Sequence, residues 1–479
     1  MLGQEVNALG RAESSSFFSL LRKSRGVFLL FFLAGLFLRL CFYFRFPHIA
    51  GDSFIYGDIA RNWLEHHVYG LSHADGIQPT FIRLPGYPAF LVACFVFFGR
   101  EHYHAVLFVQ IVVDLLGCFL IADLARRTLS DRAAKITFAL AVLCPFTANY
   151  TAAPLAETLS IFFVALVLDS AAAGFIALDA GRTASKAWIA CGVALAAGIL
   201  LRPDGGILLV AIGLYLIWRM WRRAGERVRL FWVGALLLAI AVAPLAPWTA
   251  RNWRVFHQFQ PLAPRYANDP GEFVATGFNR WMRTWIVDYV STEEVYWHVD
   301  GDALDLNNLP RRACDTSEEC AETRAIFEDY NKPLYVGPEL DARFGQLAQE
   351  RIARRPVRYY LWLPLARIGD MWLRPRTEML PLDSRWWQYD DDPHDAVIAT
   401  IWGLLNLAFV VAAALGIIRG PRPRYLALML LFVVLRSVFL GTLENPEPRY
   451  TLECYPVLFV LAGGWISGWR RHRSGSPLS

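Results

Sequence analysis

The chain is 479 residues long, with 55% hydrophobic residues, 19% charged residues and a formal net charge of +5. That apolar excess, with a positive mean hydropathy, excludes an ordinary soluble enzyme and points to the lipid bilayer. The small positive charge is no signature of nucleic-acid binding. The arginines gather in short loops between apolar runs, as Arg219, Arg222, Arg223, Arg227 and Arg229 do.

Residues 1–25 are polar and end in Arg22, Lys23 and Arg25. No small-residue cleavage site follows the apolar run after them, so they read as a cytoplasmic tail ahead of a retained first helix. A bilayer core about 30 Å thick needs roughly 20 apolar residues per helix. The windows 26–44, 104–122, 134–151, 154–177, 229–248, 396–418, 425–443 and 455–469 approach or reach that length. Two shorter ones, 187–201 and 205–219, meet at Arg202-Pro203-Asp204-Gly205-Gly206. The expected fold is an all-α polytopic membrane protein of about ten transmembrane helices, with a re-entrant or interfacial helix and a partly helical external domain. Its parts are an N-terminal membrane module over 26–248 with an external loop at 45–85, an external domain at 249–395, C-terminal helices over 396–470 and a tail at 471–479.

Charge sets the topology. With 1–25 inside, the first span delivers Asp52 outside, and the Arg126-Arg127…Arg132…Lys135 loop belongs inside. Only one crossing then fits between 45 and 125, although 86–98 and 104–122 are both apolar. Either 86–98 is re-entrant or interfacial, the reading we prefer, or the charge rule fails at this loop. Later in the chain, 357–373 is amphipathic and aromatic and reads as an interfacial helix. Five cysteines, Cys41, Cys94, Cys118, Cys144 and Cys191, lie in or beside apolar runs and read as packing. Cys314 and Cys320, six apart in a polar segment, are open to a local disulfide if that segment is external.

Several ionisable residues fall at span ends on the external side of this topology: Asp52, Asp58, Arg83, Glu157, Arg202, Asp204, Arg251 and Arg449. Any one of them could be a solvated anchor. Their convergence on one face suggests chemistry, because arginine grips phosphate bidentately and a carboxylate beside it can take a proton from a hydroxyl. Asp52, Tyr56 and Ile59 share a helical face, and Asp52 could equally be an N-cap. The run Asp390-Asp391-Asp392…Asp395 is open to a cation or to plain solvation.

The ordered motifs resemble a family. Asp52 with Tyr56 and Ala60-Arg61-Asn62, then Arg83-Leu84-Pro85-Gly86-Tyr87-Pro88, is similar to the GT-C membrane glycosyltransferases, in the branch of protein O-mannosyltransferases and the lipid A aminoarabinose transferase. Pro154-Leu155-Ala156-Glu157-Thr158, Leu201-Arg202-Pro203-Asp204-Gly205, Pro247-Trp248-Thr249-Ala250-Arg251-Asn252 and Pro448-Arg449-Tyr450 follow in order. The resemblance implies a polyprenyl-phosphate sugar donor, a lipid, glycan or protein acceptor, and inverting transfer at the external face of a bacterial cytoplasmic membrane. By the same analogy Asp52 is the general base and Glu157 the second acidic residue. Tyr56, Asp58, Arg83, Tyr87, Arg202, Arg251, Arg449 and Tyr450 line the substrate site. Many relatives pair Asp with Glu in the first loop, and here Ser53 takes the second place, so a divalent metal is not favoured. A transporter or flippase of a lipid-linked anion is the alternative, but such proteins commonly carry internal repeats, and none is seen here.

Overall fold

The computed structural model describes residues 16–182, 184–305, 307, 309–388 and 393–473, without the side chains of 469–473. The tail residues 1–15 and 474–479, and the acidic residues Asp390, Asp391 and Asp392, lie outside the described residues. The chain forms two compact units. One comprises 1–267, 409–433 and 452–479, and the other 268–408 and 434–451.

Each of the ten apolar windows is helical. In the first unit α1 (Phe17–Lys23) precedes α2 (Arg25–Arg45), and α3 (Asp52–His66) opens the polar loop. Two four-residue strands, β1 (Gly70–His73) and β2 (Gly76–Pro79), then pair antiparallel with His73 opposite Gly76. This hairpin corrects the all-α expectation. Its strands are too short to carry an alternating apolar pattern, and its only local signal is a turn at Ala74-Asp75 before Gly76, whose φ is +127°. The helices α4 (Gly86–Phe98), α5 (Tyr103–Thr128), α6 (Asp131–Val142), α7 (Pro145–Tyr150), α8 (Glu157–Asp179), α9 (Ser185–Leu201), α10 (Gly206–Arg222), α11 (Arg227–Val242) and α12 (Leu245–Phe256) follow.

Six described helical segments are long and apolar enough to cross a membrane: Arg25–Arg45, Tyr103–Thr128, Glu157–Asp179, Pro203–Arg222, Ala224–Phe256 and Pro393–Ile418. Gly86–Phe98, Ser185–Leu201 and Leu426–Gly441 are apolar but shorter. The 13 residues of α4 rise about 20 Å, less than the hydrocarbon thickness. The window 134–151 is not one helix. Pro145 lacks an amide hydrogen and starts α7 afresh, ending α6 at Val142.

A break of this kind strands carbonyls in an apolar setting, where each must find a donor. Arg39 of α2 supplies one. Its Nη1 donates to Val142 O at 2.7 Å and to Gly35 O at 2.9 Å, while Nε donates to Asp114 of α5 at 2.7 Å. Arg39 is 0% and Asp114 4% exposed, so the ion pair is sealed. A Cβ at Gly35 would sit 2.5 Å from the Val142 side chain, which is why a glycine stands where α2 meets the break.

The second unit contains α13 (Thr276–Met282), α14 (Ser317–Tyr330), α15 (Pro338–Arg354) and α16 (Leu363–Leu373). Its core is aromatic, built on Phe278, Trp281, Trp285, Phe327, Tyr330 and Phe344. Cys314 and Cys320 are joined in a disulfide. Three C-terminal helices complete the chain, α17 (Pro393–Ile418), α18 (Leu426–Gly441) and α19 (Tyr455–Arg473).

Removing one partner of a sealed pair leaves an uncompensated buried charge, at a cost of about 3–5 kcal/mol. Arg39→Met or Asp114→Leu should therefore lower the melting temperature of the detergent-solubilised protein sharply. The double replacement should recover most of that loss, as thermal denaturation would register. Opening the disulfide with Cys314→Ser/Cys320→Ser should cost about 2 kcal/mol, the loop-entropy value for a closure this short. Protease sensitivity of the 314–330 segment is the readout.

Candidate active site

The site is assembled by the loop between α2 and α4 and by the ends of α8 and α9. Gly51, at φ +54°, precedes α3, so Asp52 is the first helical residue and not the N-cap; no side-chain cap bond is made there. Its carboxylate instead accepts from Arg83 Nη2 at 2.8 Å. The pair is part-open, at 33% exposure for Asp52 and 21% for Arg83. The Arg83 guanidinium also lies 5.8 Å from the centre of the Tyr56 ring.

A second ion pair stands at the start of α8. Glu157 is buried, and its carboxylate accepts from Arg202 Nη1 at 3.1 Å, while Arg202 Nε donates to Asp204 at 3.2 Å. Pro203 ends α9 and turns the chain, which carries Arg202 and Asp204 around toward Glu157. Tyr56 links the two pairs electrostatically. Burial raises its hydroxyl pKa most, Arg83 and Arg202 oppose that, and Asp52 and Glu157 add to it. Asp52, Arg83, Tyr56, Glu157, Arg202 and Asp204 thus belong to one polar cluster in the first unit.

Gly86 explains why the Pro-Gly-Tyr-Pro turn sits where it does. A Cβ there would lie 2.5 Å from the backbone of Leu200, next to the residue before Arg202. The glycine lets α4 pack directly against the end of α9. Tyr87 is fully buried behind the cluster, stacked edge-on against Tyr56 at 4.9 Å, and its hydroxyl donates to Gln110 at 2.8 Å. Gln110 in turn donates to Ala153 O at 2.7 Å, which fixes the approach to Glu157. The structure thus makes Tyr87 a support for the cluster; its burial takes it away from any open face.

Two expected ligand residues are engaged in holding the loop. Asp58 accepts from Ser72 N at 2.6 Å and Ser72 Oγ at 2.8 Å and pairs with Arg61, so it fastens the hairpin to α3. Arg251 of α12 donates to Thr80 O at 2.7 Å and Tyr69 O at 2.6 Å, with its guanidinium against the rings of Tyr69, Trp248 and Phe256. Arg449 and Tyr450 belong to the second unit. There Arg449 pairs with Glu447 at 2.6 Å, and Tyr450 donates to Glu447 at 2.6 Å.

Two residues, Tyr69 and Glu453, escaped the sequence reading, and the structure adds to what was read of Ser53. Tyr69 donates to Arg83 O at 3.0 Å and holds the arginine's backbone, a role no spacing announces. Glu453, just past the Pro-Arg-Tyr motif, lines with Arg202, Ser160, Phe163 and Gly198 a narrow cleft at the ends of α8 and α9. Ser53 stands where relatives carry the second carboxylate; it is fully buried, and its hydroxyl has no hydrogen-bond partner in the structure. A hydroxyl there is a poor substitute for an anionic metal ligand. Among the described residues no group of three or more His, Cys, Asp or Glu is placed to hold a metal ion.

Residues 83–248 match the family model described as dolichyl-phosphate-mannose-protein mannosyltransferase. The match covers about a third of the chain, and it makes this part of the membrane module similar to the GT-C mannosyltransferases. The match contains Arg83, Tyr87, Glu157, Arg202 and Asp204 and begins after Asp52. The chain is an integral multi-pass membrane protein. No curated protein sequence matches it. Among solved structures it is similar in fold to the archaeal oligosaccharyltransferase AglB from Archaeoglobus fulgidus, in complex with an inhibitory peptide and a dolichol-phosphate. That likeness has a TM-score of 0.52 and 12% identity over 96% of this chain and 53% of the archaeal one. The chain thus spans about half the length of that enzyme. ArnT from Cupriavidus metallidurans also matches, at a TM-score of 0.39 and 18% identity over 92% of this chain and 78% of that one. Its structure bound to undecaprenyl phosphate gives 0.36 and 16% over 94% and 79%.

If Gly86 is what allows α4 to reach Leu200, Gly86→Ala should strain the turn by about 1–3 kcal/mol and displace Arg202. Gly26→Ala, where a Cβ meets nothing within 4 Å, should leave the melting temperature unchanged. Thermal melts of the two variants in detergent provide the comparison.

Proposed function

We propose that the protein transfers a sugar from a polyprenyl-phosphate donor to an acceptor hydroxyl, with inversion, at the cluster of Asp52, Arg83, Tyr56, Glu157 and Arg202. The donor class is the one named by the family model that residues 83–248 match. The observation that carries the residue assignment is the pairing of two part-open arginines with two carboxylates around one buried tyrosine. Arg83 and Arg202 can each turn a guanidinium fork toward a phosphate.

In the proposed step the acceptor oxygen attacks the anomeric carbon while the bond from that carbon to the phosphate oxygen breaks. The electron pair leaves with the polyprenyl phosphate, whose growing charge the arginines stabilise. The acceptor proton passes to Asp52. Glu157 holds Arg202 in place and orients the acceptor. The solved AglB structure, similar in fold, is in complex with a dolichol-phosphate, which supports a lipid phosphate as the leaving group here.

Reconstituted protein supplied with radiolabelled polyprenyl-phosphate sugars and a membrane extract should move label to an acceptor. Asp52→Asn should slow transfer about 10²–10⁴-fold, and Arg83→Lys should weaken donor binding, since a point charge replaces a bidentate fork. Equal transfer by wild type and Asp52→Asn would remove the base assignment. Movement of intact donor across the bilayer with no sugar released would favour a flippase.

A further inference from the structure

The segment 357–373 has its polarity turned inside out for a protein in water. Arg367 of α16 is 2% exposed and donates to Ile286 O at 2.9 Å and Gly441 O at 3.0 Å, while Leu363 and Met371 pack beside it. The opposite face is apolar and open. Tyr360 is 69% and Trp362 62% exposed, and Val357, Leu361 and Leu365 are exposed with them. A face of this composition stands open only against an apolar medium or a partner.

Contacts within the second unit show what surrounds it. Gly441, to which Arg367 donates, is the last residue of the apolar helix α18, and a Cβ on it would lie 2.9 Å from Pro364 O. Trp372 Nε1 donates to Ser437 of α18 at 3.1 Å, and Asn406 of α17 donates to Trp372 O at 2.8 Å. The segment therefore packs on two apolar helices, one of them long enough to span a bilayer. Lipid is the medium those helices require. Exposed Tyr and Trp are the side chains that settle at a bilayer's boundary.

Just before this face the chain is basic. Arg351, Arg355 and Arg358 line a small cleft with Thr284, Asp315 and Tyr359. Arg354 is 41% exposed, and Arg355 is exposed beside it. The carboxylates paired with these arginines are Asp315, which accepts from Arg358 at 2.7 Å, and Glu319, which pairs with Arg351 and Arg354; Glu318 and Glu350 neighbour them in sequence. The cleft itself is lined by three arginines and one carboxylate, an excess of positive charge at one end of an apolar face. Phosphate at the head of an anionic lipid has the complementary sign and geometry.

We propose that 351–365 is a lipid-docking surface. The apolar face at Val357–Leu365 lies among acyl chains, and the arginine cleft binds the phosphate of an anionic phospholipid. This surface is independent of the transfer site and stands whether or not the chain transfers a sugar.

The test uses the full chain in nanodiscs of mixed phosphatidylglycerol and phosphatidylcholine. The photo-crosslinker benzoylphenylalanine replaces Tyr360 or Trp362, with exposed Lys332 of the same unit as control. Mass spectrometry after irradiation should find lipid adducts at 360 and 362 and none at 332, with phosphatidylglycerol enriched over its bulk share. Arg355→Gln should reduce that enrichment about fivefold, the share of one arginine near an anionic surface. Absence of lipid adducts at 360 and 362, or adducts to protein there, would overturn the docking surface. Adducts at the bulk lipid ratio, unchanged by Arg355→Gln, would overturn the phosphate site.

Discussion

The ends of the polar loop of the membrane module are joined by one link, the ion pair between Asp52 and Arg83. These residues are 31 positions apart and stand at the two ends of the loop. Closing a loop of that length costs chain entropy that a single part-exposed pair does not repay alone. The rest is supplied by packing. Ile59, Tyr69, Phe81, Leu84 and Trp248 form a buried cluster under the loop, and Arg251 ties its middle through Thr80 O and Tyr69 O. Tyr69 then holds the backbone of Arg83 itself. The result is a carboxylate and a guanidinium presented on a frame, which is what positioning for chemistry requires.

Exposure separates the arginines of this chain by what they can do. Arg39 and Arg367 are sealed, at 0% and 2%, and nearly all their donors end on backbone carbonyls or a buried carboxylate. Each closes a break or a helix end that apolar surroundings would otherwise leave unsatisfied. Arg83 and Arg202 keep about a fifth of their surface open, at 21% and 19%. They pair with carboxylates, the partners that a phosphate can replace. Arg251 is intermediate: it sits in the right motif, yet its guanidinium is spent on carbonyls of the loop.

Helix placement was legible because a long apolar run in this setting has few alternatives. The helix breaks were legible in part. Pro203 sits in a polar interruption that the hydropathy pattern exposes, whereas Pro145 is hidden inside a continuous apolar run, so 134–151 read as one helix. The hairpin at 70–79 was invisible, since eight residues with one Asp-Gly step carry too little pattern. At the site, motif order brought Asp52, Tyr56, Arg83, Glu157 and Arg202 to notice. Spacing could not separate contact from support. Asp58 and Tyr87 lie in the same motifs, but one faces the hairpin and the other a buried glutamine. Those roles come from tertiary neighbours distant in sequence.

On the proposed reading, the Asp52–Arg83 pair has a consequence for the order of events. The Arg83 guanidinium engages a carboxylate oxygen of Asp52 at 2.8 Å. In the paired state an acceptor hydroxyl must compete with that fork for the carboxylate. A donor phosphate arriving at Arg83 offers the guanidinium another anion, so one charge-assisted contact is exchanged for another at little net cost. Asp52 is then released as the acceptor's proton must be taken. Coupling the base to donor occupancy in this way would keep an unoccupied site from deprotonating acceptors, and it needs no moving domain beyond the rotation of one side chain.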